Sequence, residues 1–116
     1  MIRSLALTRL AALLLLLLPA ALVPLSPALA GDPAAGRAKA AACKTCHGLD
    51  GVARIPIAPH IAGESEVYLE TQLKAFRSGK RTHEIMSVIA KDLSDADISD
   101  LAAWYASIAF TVQMPE

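Results

Sequence analysis

Two cysteines and a histidine stand in the order Cys43-Lys44-Thr45-Cys46-His47. On a helical turn, positions i, i+3 and i+4 share one face. Two thiols and an imidazole placed this way can serve a single group. The thiols can add to two vinyl substituents along one edge of a porphyrin, and the imidazole beside the second thiol can reach its iron. This spacing is the attachment sequence of c-type haem. Three other chemistries use parts of the pattern. A thioredoxin-like redox pair expects βαβ surroundings, which this chain does not offer. A zinc site needs four ligands, and His60 and His83 lie too far apart to supply the usual second half. A disulfide between Cys43 and Cys46 would close a tiny loop, constrain little, and leave His47 without a role.

Iron held by His47 keeps a sixth position, and its occupant sets the function. A methionine or a second histidine closes the iron and suits it to electron transfer, whereas an open position allows ligand binding or peroxide chemistry. The candidates are Met86, Met114, His60 and His83. Met86 follows a polar connection and sits among Ile85, Val88 and Ile89, far enough downstream to return to the other face of the haem. Its bland alternative is core filling, the usual task of a methionine in an apolar run. Met114 lies next to Pro115 near the terminus, where fraying is expected. His60 follows Pro59 closely after the attachment site and is expected on the proximal side. Met86 is therefore the expected distal ligand and His83 its competitor; the other histidines read as surface residues.

The segments that position these groups begin after a leader. Residues 1–9 carry Arg3 and Arg9 and no acid, an apolar run follows from Leu10 to Leu18, and Ala28-Leu29-Ala30 supplies small residues for cleavage. That order reads as a secretory signal peptide over 1–30, with residues 31–116 as one exported domain. The alternative, an uncleaved anchor, has an apolar run short of about 20 residues, with Pro19, Pro24 and Pro27 crowding its end. The expected location is periplasmic, with no membrane span after cleavage. Without the leader, nine basic face eleven acidic residues, a net charge of −2. That argues against a nucleic-acid binder, which would show a basic patch.

Within the exported domain, Asp32-Pro33 opens a helix well, and Ala34 to Cys46 reads as the first helix. Gly51, Pro56, Pro59 and Gly63 mark a loop, although its Ile55, Ile57 and Ile61 must pack on something apolar. Ser65 caps a helix whose Leu69, Leu73 and Phe76 form one face until Gly79 stops it. Ile85 to Leu93 suggests a short helical turn. Ser94 with Asp97 resembles a capping box, followed by an apolar stripe from Ile98 through Leu101, Ala102 and Tyr105 to Ile108 and Ala109. Nothing alternates like a strand, so the expected fold is all-α. A domain this small buries a limited share of its surface. A haem would give Ile55, Ile57, Ile61, Leu69, Leu73 and Phe76 a surface to pack on and complete the core.

Taken in order, Gly31 to Gly36, Cys43 to Gly48, Pro59 to Gly63, Tyr68 to Arg81, Met86, and Leu93 to Ser107 resemble the class I cytochromes c, specifically the short bacterial c553/c4-like type. The resemblance implies a small cytochrome c fold, helices and loops wrapped around one covalently attached haem c. It implies thioethers at Cys43 and Cys46, His47 as proximal iron ligand and Met86 as distal ligand. It also implies that the Pro59 carbonyl accepts from His47 Nδ1–H, and that Gly36 lets the first and last helices cross closely beside Leu101, Trp104 and Tyr105. His83-Glu84, before Ile85-Met86, departs from relatives that often carry proline or small residues there. The implied function is one-electron transfer between redox-partner proteins that dock transiently at an exposed haem edge, with no catalytic residues. The alternative is an electron-accepting subunit of a larger oxidoreductase, such as the flavoprotein-partnered cytochrome of a sulfide dehydrogenase, which Met86 to Asp97 also resembles. A haem ligand binder or peroxidase would require Met86 not to bind iron. Arg54, Arg77, Lys80 and Arg81 are candidates for the haem propionates, with solvated surface charge as the plain reading of most of them.

Overall fold

A computed structural model describes residues 30–116; the leader expected over 1–30 lies outside the described residues but for its last, Ala30. Five helices occur in the order α1 (Pro33–Lys39), α2 (Lys44–His47), α3 (Glu66–Ser78), α4 (Met86–Ala90) and α5 (Asp95–Ala106), and no strand occurs among the described residues. No helix among them is long and apolar enough to cross a membrane.

The local starts follow from capping. Asp32 accepts from Ala34 N–H with Pro33 at the first helical position, and Ser65 accepts from Tyr68 N–H. At α5 the box is reciprocal: Ser94 Oγ accepts from Asp97 N–H, and the Asp97 carboxylate accepts from Ser94 N–H. Each satisfies N–H groups that a helix leaves without partners, and each such cap contributes about 1 kcal/mol.

Two boundaries differ from the sequence expectation. The helix expected over Ala34–Cys46 is broken: α1 ends at Lys39, and the chain turns through Ala40 to Cys43 before α2 begins. No glycine or proline marks the break. Ala40 is completely buried against Leu101, Ala102 and Tyr105, so tertiary packing sets this turn and overrides helical propensity. The stripe expected to Ala109 also ends early, at Ala106. A longer helix would need the Tyr105 carbonyl for Ala109, but Gly63 N–H takes it at 2.9 Å.

The core is the contact of α1 and α3 with α5. Gly36 makes the α1–α5 crossing possible: a β-carbon there would overlap the Asp100 carbonyl and stand 2.8 Å from Trp104 Cβ. Leu69, Leu101, Ala102 and Tyr105 are buried around it, and Ile61, Leu73 and Trp104 pack on that cluster. The helices therefore form a frame from which α2, the following loop and α4 face a common cavity.

Candidate cofactor site

The cavity measures about 460 Å³, within the range of ligand pockets, and its lining is mostly apolar. Ile55, Ile57, Ile61, Leu69, Leu73 and Phe76, the six residues expected to pack on a cofactor, all line it. So do Cys43, Cys46, His47, Pro59, His83 and Met86. His60 and Met114 do not; Met114 is exposed in the tail beyond α5. α2 and α4 make no contact with each other although both line the cavity, so His47 and Met86 approach it from separate elements.

Both cysteine thiols are free. Burial pushes the Cys43 thiol above its ordinary range, opposed by a contact with the Tyr105 hydroxyl.

The three histidines are distinguished by what their Nδ1 atoms meet. His47 is buried, and its Nδ1 lies 2.9 Å from the Pro59 carbonyl oxygen. A carbonyl only accepts, so Nδ1 carries the proton and Nε2 keeps a lone pair. His60 shows the reverse, its Nδ1 accepting from Ala53 N–H at 2.8 Å. At His83, Nδ1 accepts from Ile85 N–H at 3.2 Å and Met86 N–H at 3.4 Å. In their neutral forms His60 and His83 therefore carry the proton on Nε2. Of the three imidazoles, His47 alone has an Nε2 lone pair ready for a metal, on a ring fixed from behind by a carbonyl.

α5 holds the attachment segment by two hydrogen bonds that sequence reasoning missed. Tyr105 Oη donates to the Gly48 carbonyl at 3.1 Å and Trp104 Nε1 donates to the Leu49 carbonyl at 3.0 Å. Burial, helped by neighbouring Cys43 and Asp50, raises the Tyr105 phenol, which stays a donor across the neutral range. Arg54 N–H donates to the Cys46 carbonyl at 2.7 Å, tying the loop to α2. Of the four basic residues considered for propionates, only Arg81 lines the cavity. Its guanidinium lies over the Phe76 ring at 4.6 Å and donates to the Gln72 side-chain carbonyl. Arg77 is engaged with the Leu93 carbonyl and Asp95, and Arg54 with Asp50.

The donor set tests well against a covalently held haem: two free thiols at attachment spacing, one imidazole with its Nε2 available, one thioether, and an apolar cavity between the helices that carry them.

The family model described as Cytochrome c matches residues 33–109. The chain is 47% identical over 81 residues to cytochrome c-554(548) of Halomonas halodenitrificans, covering 67% of this chain and 98% of that one. It is similar to the solved structure of reduced recombinant cytochrome c4 from Pseudomonas stutzeri, with a TM-score of 0.66 and 37% identity, over 72% of this chain and 48% of that one. It is also 42% identical over 77 residues to a protein of Thiomonas intermedia named thiosulfate dehydrogenase electron acceptor, covering 65% of this chain and 35% of that one. The chain thus spans nearly all of the Halomonas protein and half or less of the other two.

Proposed function

The chain belongs to the cytochrome c family, and we propose that it is an exported, single-haem electron carrier ligated by His47 and Met86. Covalent haem c is the cofactor of this family; bound, it supplies a one-electron ferric–ferrous couple. In this reading Cys43 and Cys46 form the thioethers, and His47 binds the iron through Nε2 while its Nδ1–H donates to the Pro59 carbonyl. The observation that carries the assignment is what the three Nδ1 atoms meet, a carbonyl at His47 and backbone amides at His60 and His83, which favours His47 as the nitrogen ligand. It also weakens His83 as a rival to Met86, because the His83 Nδ1 lone pair is already shared by two backbone amides.

The protein's own contributions are binding and orientation. A haem iron held by His47 and Met86 would have its reduction potential raised by the thioether ligand. The apolar lining works in the same direction, because a low-dielectric surrounding disfavours the more highly charged ferric form. Tyr105 and Trp104 hold the attachment segment, so few groups need to move when the electron arrives. In this reading partners dock transiently at an exposed haem edge over a small interface. Export through residues 1–30 with cleavage after Ala30, and a periplasmic location, complete the proposal.

A second reading is favoured by the relative named as the electron acceptor of thiosulfate dehydrogenase: the chain would then accept electrons directly from a dehydrogenase as its dedicated partner. Co-purification with a dehydrogenase that survives high salt would favour it over a free carrier.

The test of the ligand assignment is carbon monoxide binding to the ferrous protein. The wild type is expected to resist it and Met86→Ala to bind it readily. Avid binding by the wild type would contradict electron transfer at a closed iron.

A further inference from the structure

α4 is five residues long and begins at Met86 itself. A helix this short is not stable alone. Its opening amide groups also need acceptors, or the segment frays. The residue preceding it in the helical direction, Ile85, gives no side-chain cap.

The acceptor comes from further upstream. The single lone pair of His83 Nδ1 accepts from Ile85 N–H at 3.2 Å and, more weakly, from Met86 N–H at 3.4 Å. The same residue is tied back from the other side. Its own N–H donates to Ser87 Oγ at 3.0 Å, and its carbonyl accepts from Ser87 N–H at 3.0 Å. His83 and Ser87 thus close the turn reciprocally, in the manner of a capping box with an imidazole in place of the usual hydroxyl or carboxylate. The turn enclosed contains Met86, whose side chain lines the cavity. The two hydrogen bonds to Nδ1 hold the His83 ring at the start of the turn.

We infer that His83 is a positioning residue: its imidazole caps the turn that carries Met86 and so sets how firmly the Met86 thioether is held toward the iron. The inference rests on the reading of Met86 as the distal ligand. Loss of the cap favours an opened state in which Met86 has swung away, and an added ligand captures that state.

The test is the affinity of the ferric holoprotein for exogenous imidazole at about pH 8, where imidazoles are neutral. A cap contributes about 1 kcal/mol, so His83→Ala should bind imidazole tighter by roughly fivefold to tenfold. His83→Asn, which restores a side-chain acceptor, should return to within about twofold of the wild type. Ser94→Ala removes a comparable cap from α5, which does not pack on α4, and should leave the affinity unchanged while lowering stability. Should His83→Ala not accumulate with haem, slow exchange of the Ile85 and Met86 amides in the wild type carries the test, together with ¹⁵N shifts placing the His83 proton on Nε2. Wild-type affinity in His83→Ala, an equal gain in Ser94→Ala, or free exchange of those two amides would overturn the role of His83. If the wild type lacks the weak long-wavelength band of ferric iron bound to thioether sulfur, the Met86 reading falls first and this inference with it. If the band is present and His83→Ala is silent, only this inference falls.

Discussion

His47 donates its Nδ1 proton to the Pro59 carbonyl across 2.9 Å, joining the end of α2 to a loop residue twelve positions later. The bond fixes the ring, sets its tautomer and turns Nε2 toward the role of ligand. A single contact therefore links the attachment motif to the proline-rich loop, whose composition alone suggested only irregular chain. His60, next to Pro59, secures the same loop by accepting from Ala53 N–H.

Tyr105→Phe removes the phenol that donates to the carbonyl of buried Gly48 and leaves that carbonyl only the 3.3 Å bond from Gly51 N–H. The expected cost is about 1–2 kcal/mol. It should appear as a lower urea midpoint with an unchanged slope. An unchanged midpoint would mean that solvent replaces the phenol.

Gly36→Ala places a β-carbon into the Asp100 carbonyl, which is backbone and cannot rotate aside. α1 and α5 must then separate, at a cost of about 2–3 kcal/mol. The thermal midpoint should fall by roughly 10 °C or more. Tolerance without loss would contradict the close crossing.

Lys39 bridges Asp97 at 2.8 Å and Asp100 at 2.7 Å between α1 and α5. Its ammonium holds both carboxyls below their usual range, and Asp100 and Asp97 in turn raise Lys39. A lowered carboxyl lends stability that is complete above its unfolded value and lost as pH falls through its folded one; a raised amine lends stability that is complete below its unfolded value and lost above its folded one. The stability lost in Lys39→Met should therefore be constant between about pH 5 and about pH 9, and shrink below about pH 4. Lys39 is exposed and both carboxylates are partly so, so added salt should shrink it too. A difference that stays full at about pH 2 would contradict the pairing.

The elements most legible in the sequence were those whose signals are local. The Ser65 cap with the Gly79 stop, and the Ser94–Asp97 box with the Ile98, Leu101 and Ala102 face, are set by neighbours three or four residues away, and both helices begin where expected. The Cys43, Cys46 and His47 spacing was legible because its chemistry dictates it. The break after Lys39 was not, because burial of Ala40 against α5 decides it. Nor was the early end of α5, which depends on Gly63 taking the Tyr105 carbonyl from a distant loop. The roles of Tyr105 and His83 escaped for a related reason. A phenol reaching Gly48 across the fold leaves no periodic trace, and histidine is not among the residues that usually signal a cap.

The most direct test of the account is the oxidised and reduced absorption spectrum of the mature protein, made in a host with haem-attachment machinery, together with its intact mass. The account predicts one covalent haem on a chain beginning at Gly31, a sharp c-type reduced spectrum, and the weak long-wavelength band of ferric iron bound to thioether sulfur. A c-type spectrum without that band would contradict Met86 as ligand, and a mass without covalent haem would contradict the electron carrier altogether.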